Sequence, residues 1–215
     1  SLGEDYVSLK DSNYYGSTPQ QSISNIHELK NILSGLAHAK YADASELKRE
    51  LLLVSDDIVQ VINTPTENDM PLSELLHRLT SNLSRIYGGV AIENNVPENI
   101  RISNPDFYSQ VLHSLIENAV NAAWSNVSNV VKLHYDLDLG AMVISNQGSL
   151  PADWLAPDGT PIPENIKTSK PFGTAYGIVN SLKSLQSKGQ TLTYDVREGW
   201  VYTRVGLESV VSGAD

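Results

Sequence analysis

The chain has 215 residues and a mass of 23.5 kDa, room for one large domain or two small ones. A formal net charge of -10 and a pI near 4.9, without any basic block, exclude a general nucleic-acid binder, and Cys 0 excludes disulfides and thiolate metal sites. No apolar run approaches the roughly 20 residues of a membrane span, so a cytoplasmic location is expected; membrane attachment of a longer protein is left open.

Residues 1–16 mix Gly, Ser, Asp and Tyr without either periodicity and read as a linker. Thr18-Pro19 is a helix start, with Thr18 as cap and Pro19 where a missing N–H costs nothing. The helix is expected to run to about Tyr41, with Ile26, Leu29, Leu33 and Leu36 stepping along one seam. His27 falls just off that seam. Asn31 lies one turn later on the same face, and Glu28 sits beside the ring. After a short turn from Asp43 to Ser45, a second helix carries Leu47, Leu51, Val54, Ile58 and Val61. Two amphipathic helices cannot bury both stripes against each other alone, so the hairpin 17–64 is expected to pair with a second copy as a dimeric four-helix bundle.

Asn63 through Pro71 is polar, carries two prolines and reads as an interdomain linker, with a second domain over 71–215. Its expected elements begin with a helix from Leu72 to Tyr87 and short strands from Val90 to Glu93 and from Ile100 to Ile102. A long helix opened by Pro105 follows, reaching about Trp124. A hairpin of Val130 to Tyr135 and Ala141 to Ile144 comes next, then a long Pro- and Gly-rich loop from Ser149 to Lys170. A helix from Phe172 to Ser187 and a final strand pair, Gln190 to Val196 with Trp200 to Leu207, complete it. The fold class is α+β: an α/β sandwich of helices and mainly antiparallel strands with one sheet face covered.

Three stretches of this domain carry polar chemistry. Asn118 and Asn121 lie three apart on one helix face, and amide oxygens suit a magnesium ion that also holds phosphate and water. Asn146 and Gly148 end a strand, where a polar side chain can meet a base edge. Gly173, Thr174 and Gly177 lead into a helix, where backbone amides can cradle phosphates. Each alone is compatible with an ordinary helix face, hairpin exit or helix start. The histidines His38, His77, His113 and His134 show no ligand spacing.

The order of these stretches, downstream of His27-Glu28-Leu29-Lys30-Asn31, resembles the catalytic core of a two-component sensor histidine kinase. That core joins a phosphoacceptor hairpin to an ATP-binding domain of the Bergerat type shared with gyrase and Hsp90. The hairpin is similar to those of the dicarboxylate- and citrate-sensing kinases and the sporulation phosphotransferase, whose motif reads His-Asp/Glu-x-x-Asn. The resemblance implies that His27 is the phosphoacceptor, Glu28 its activating base and Asn31 the residue that positions water during dephosphorylation. It implies ATP and Mg2+ as cofactors, with Asn118 as the metal residue and Gly148, Gly173, Thr174 and Gly177 as glycine-box positions. By the same resemblance Lys170 would end a lid running from Ser149 to Phe172, and a response regulator receiver domain would be the partner.

The chain departs from that pattern at several places. Ser114 stands where Asn or Glu is usual, Asn146 where an acid accepts the adenine amine, and Leu150, Ala175 and Tyr176 replace box residues. The alternative these departures favour is a histidine phosphotransferase or response-regulator phosphatase with a degenerate pocket. A non-catalytic dimerisation scaffold would leave His27 and Asn31 without a role.

Overall fold

The computed structural model describes residues 48–49, 51–53, 55–56, 68–124, 128–167 and 174–212. The chain divides into two units, Ser1–Thr66 and Glu67–Asp215. The described stretches of the first unit are helical, with Leu53 and Asp56 buried and Leu51 exposed. His27, Glu28, Asn31 and the expected bundle and dimer contacts lie outside the described residues.

The second unit begins earlier than its hydropathy suggests. Asp69–Pro71 form strand β1, inside the stretch read as linker, because Met70 is buried and Arg101 donates to Asp69 Oδ2 at 2.7 Å. Helix α1, Leu72–Thr80, buries Leu72, Leu75, Leu76 and Leu79 on one stripe, each contributing about 1.5–3 kcal/mol. The single helix expected to reach Tyr87 breaks after Thr80. There the Thr80 hydroxyl bonds the Leu76 carbonyl at 2.8 Å and the Ser81 hydroxyl bonds the Arg78 carbonyl at 3.0 Å. Such side-chain bonds compete with continuation of the helix, and a short α2, Leu83–Ile86, follows.

Strands β2, Ala91–Asn94, and β3, Ile100–Ser103, precede helix α3, Pro105–Trp124, whose bounds agree with the periodic pattern. Strands β4, Val130–Asp136, and β5, Ala141–Gln147, form a hairpin, β5 running three residues beyond the expected Ile144. Helix α4 spans Thr174–Ser187. Strands β6, Leu192–Arg197, and β7, Trp200–Gly206, close through a two-residue turn in which Glu198 and Gly199 take φ of 51° and 76°. That is the twist-matched hairpin geometry. A last strand, β8, Ser209–Val211, was not expected.

The strands make two sheets. One has order β1-β3-β8; the other has order β2-β4-β5-β7-β6, antiparallel except for the β2–β4 pair. In the larger sheet the register aligns Leu133, Ile144, Thr203 and Tyr194 in one cross-strand row, and Tyr135, Met142, Val205 and Leu192 in the next. These rows face the helices: α3 packs on β4 and β5, α4 packs on β6, and the two helices pack on each other. On the opposite face Lys132 is exposed and stands over the Trp200 ring.

The loop after β5 is built rather than irregular through Lys167. Leu155 bridges Pro161, Ile162 donates to the Trp154 carbonyl at 2.7 Å, and the Asn165 amide donates to the Asp153 carbonyl at 2.6 Å. The loop is fastened to the edge strand β6 by the Tyr194 amide, which donates to the Gly159 carbonyl at 2.8 Å. Gly159 has φ +84°, and a Cβ there would lie 2.4 Å from the Tyr194 carbonyl oxygen, so glycine alone allows this approach. Gly159, within the expected lid, is thus tied to the sheet edge by a backbone hydrogen bond. No helix of the described residues is long and apolar enough to cross a membrane.

Candidate functional site

Four residues apart on α3, Ser114 and Asn118 share a helix face, and that face meets α4 at Gly177. A Cβ built on Gly177 would lie 2.5 Å from Ser114 Oγ and 3.2 Å from Asn118 Nδ2, so the helices touch where only hydrogen fits. Asn118 Nδ2 is buried and has no hydrogen-bond partner among the described residues. An orphaned buried donor costs about 1–3 kcal/mol, and a native fold that keeps one usually leaves it for a ligand or water.

The sheet supplies the second wall. The chain leaves α3 at Trp124 and re-enters the sheet at Val130, heading the row in which Val131 stands opposite Asn146. A connection that short brings the C-terminal end of α3 near the Val131–Asn146 end of the sheet. Asn146 is 4% exposed and lies on the helix-covered face between Val131 and Val201. Its side-chain amide donates one of its two hydrogens to the Gln147 carbonyl at 2.8 Å, which orients the group; its carbonyl oxygen can accept. Just beyond, the Gly148 N–H donates to the Gly199 carbonyl at 3.0 Å and ties the strand end to the β6–β7 turn.

The structure brings Asn118 to Gly177, and separately ties Gly148, two residues beyond Asn146, to the β6–β7 turn. Asn121 is half-buried one turn on from Asn118 and is engaged within the protein. Thr174 opens α4, whereas Lys170 and Gly173 lie outside the described residues. The role of Ser114 follows from its i, i+4 spacing to Asn118, a signal present in the sequence but read there only as a departure.

A magnesium ion would find one amide oxygen here, that of Asn118, and among the described residues no group of three His, Asp or Glu side chains is placed to hold a metal ion. Asn118 Oδ1 is the amide atom farther from the Gly177 crossing, 3.9 Å against 3.2 Å for Nδ2. This sparse donor set fits magnesium, which keeps most of its shell as water and phosphate oxygens.

Known structures match this architecture. The second unit has the fold of histidine kinase ATP-binding domains. The mycobacterial sensor histidine kinase MprB superposes with a TM-score of 0.52 at 18% identity, covering 66% of this chain and 96% of that chain. The catalytic domain of the histidine kinase ThkA gives 0.50 at 19% identity, over 67% of this chain and 94% of that chain. The histidine kinase domain of the Erythrobacter litoralis EL346 blue-light activated kinase gives 0.52 at 13% identity, over 98% of this chain and 92% of that chain. No protein-family model and no curated protein matches the sequence. In this fold α3, which carries Asn118, packs on both β5 and α4.

Proposed function

We propose that this chain is a histidine kinase core in which the second unit binds Mg-ATP and His27 of the first unit accepts the γ-phosphoryl group. The observation that carries the reading is the orphaned amide of Asn118 against Gly177, set in a histidine kinase ATP-binding fold with Asn146 turned as an acceptor. Asn118 would hold the metal, which neutralises charge on the phosphates when bound. Gly148, Gly173, Thr174 and Gly177 would admit the nucleotide closely, and Lys170 would face its phosphates at the loop end. Asn146 would accept the exocyclic amine of adenine.

One ring nitrogen of His27 would attack the γ-phosphorus as the β–γ P–O bond breaks and ADP leaves, Glu28 would accept the proton from the other nitrogen, and Asn31 would direct a water when phosphate is later removed. Phosphoryl transfer of this kind needs positioning and charge neutralisation more than covalent machinery. The phosphoryl group then passes to an aspartate of a response regulator receiver domain, and the active form is a homodimer held by the four-helix bundle.

A second reading is favoured by Ser114 and Asn146: a histidine phosphotransferase or regulator phosphatase on the same fold. A neutral amide replaces a charged acceptor, and the difference weakens the adenine contact by about 1–3 kcal/mol. Incubation of the full chain with γ-labelled ATP and magnesium, beside His27→Gln, separates the two. Label on the wild type alone supports the kinase. No label from ATP, together with label accepted from a phosphorylated receiver domain, replaces it with the phosphotransferase.

A further inference from the structure

Strand β6 is the last strand of the larger sheet, so one side of its backbone has no strand to pair with. Pairing with β7 turns the N–H and C=O groups of Leu192, Tyr194 and Val196 outward, and the Tyr194 amide accordingly donates to Gly159 and not to β7. A six-residue edge of this kind is a template on which another chain can add a strand.

What meets that edge is a small hairpin. Ala156 donates to the Thr160 carbonyl at 2.9 Å, Gly159 to the Ala156 carbonyl at 2.9 Å, and Ile162 to the Trp154 carbonyl at 2.7 Å. Pro157-Asp158-Gly159 thus makes a β-turn completed by a left-handed glycine, and the Asp158 carboxylate steadies it by accepting from the Thr160 amide at 2.9 Å. The hairpin tip lies on Tyr194, the middle of the outward-facing residues. Pro157, Pro161 and Pro163 have no N–H to offer, so the hairpin is itself a poor template for a further strand.

We propose that residues 154–162 are an edge guard: a preformed strap, docked on β6 through Gly159 in the free protein, that keeps this edge from pairing with β6 of a second copy of the chain. The inference stands apart from the nucleotide reading above. Because the hairpin closes on its own backbone bonds, its docking orders few further residues and costs little entropy. Release of the strap would leave Leu192, Tyr194 and Val196 with open backbone groups on one straight edge.

Amide hydrogen exchange of the full chain, read at single residues, and sedimentation velocity test this together. In the wild type the Tyr194 amide is expected to exchange at least about a hundredfold more slowly than an unstructured one. In Gly159→Ala the new Cβ would run into the Tyr194 carbonyl oxygen. That variant is expected to speed Tyr194 exchange about tenfold or more, to leave the β4–β5 amides protected as before, and to form assemblies larger than the wild-type species. Asp158→Ala keeps the glycine but removes the acceptor of the Thr160 amide; it is expected to give an intermediate rate, and it carries the test if Gly159→Ala does not fold. A Tyr194 amide that exchanges at the unstructured rate in the wild type would overturn the inference, as would full protection of Tyr194 in both variants. Release of Tyr194 in a folded variant without any larger species would also overturn it, because the strap would then guard nothing.

Discussion

Gly177 of α4 lies so close to Ser114 of α3 that a methyl group on it would sit 2.5 Å from the Ser114 hydroxyl oxygen. This contact sets how near the start of α4 comes to Asn118. Gly177→Ala is expected to lower stability by about 1–3 kcal/mol, the usual cost of overpacking. Adding Ser114→Ala removes the oxygen in the way, so the double variant is expected to recover part of the loss. Denaturant midpoints of the four proteins give the coupling, and strictly additive losses would show that the two residues do not meet.

The β6–β7 turn holds Glu198 at φ 51°, a left-handed conformation unfavourable for a residue other than Gly, Asn or Asp. Followed by Gly199 at φ 76°, it is a type I′ position with the wrong first residue. Glu198→Asn is expected to stabilise the chain by about 0.5–1 kcal/mol, read as a higher thermal midpoint. An unchanged or lower midpoint would contradict this.

Tyr135 on β4 and Ser209 on β8 join the two sheets through a hydroxyl pair 2.5 Å apart. Nearby, the Glu208 amide donates to the Tyr108 hydroxyl at 3.0 Å, and Asn104 donates to the Glu208 carboxylate at 2.7 Å. Tyr135→Phe is expected to cost about 1 kcal/mol. In a cycle with Ser209→Ala the losses should be less than additive, and full additivity would mean that the sheets are joined elsewhere.

Much of this architecture is legible in the residues. α3 is a clear case, since a 20-residue apolar period opened by Pro105 leaves little choice. The β4–β5 and β6–β7 hairpins also follow from alternation and turn residues. β1 and β8 do not, because each has three residues and the former contains Asp69 and Pro71, which read as linker. Their stability comes from pairing with β3, a long-range contact that local pattern cannot show. The parallel β2–β4 pair is hidden for the same reason. At the candidate site, Asn118, Asn146 and Gly177 stand out in the sequence by residue type and by an order that resembles the histidine kinase boxes. The tight Ser114–Gly177 contact shows only in the packing.

On the outer face of the larger sheet, Asp195 is paired with Arg197 and with Arg204, the latter at 3.5 Å. Hydrogen bonding and charge attraction from Arg197, then attraction from Arg204, hold its carboxyl below the usual carboxylate range. A carboxylate with a lowered folded-state pKa adds stability above its unfolded value, near 3.9, and loses that contribution as pH falls through the folded one. Asp195→Asn is therefore expected to be less stable than the wild type at pH 7, with the gap closing below about pH 4. A gap that stays constant across that window would assign the effect to something other than charge.

The central claim is that the Asn118 and Asn146 end of the second unit is a nucleotide site. Calorimetric titration of the full chain with Mg-ATP, beside Asn118→Ala, tests it most directly. The account predicts saturable binding by the wild type and at least a tenfold loss in Asn118→Ala, with the thermal midpoint unchanged or raised because the orphaned amide has gone. No binding by the folded wild type at millimolar Mg-ATP, or equal binding by both proteins, would contradict it.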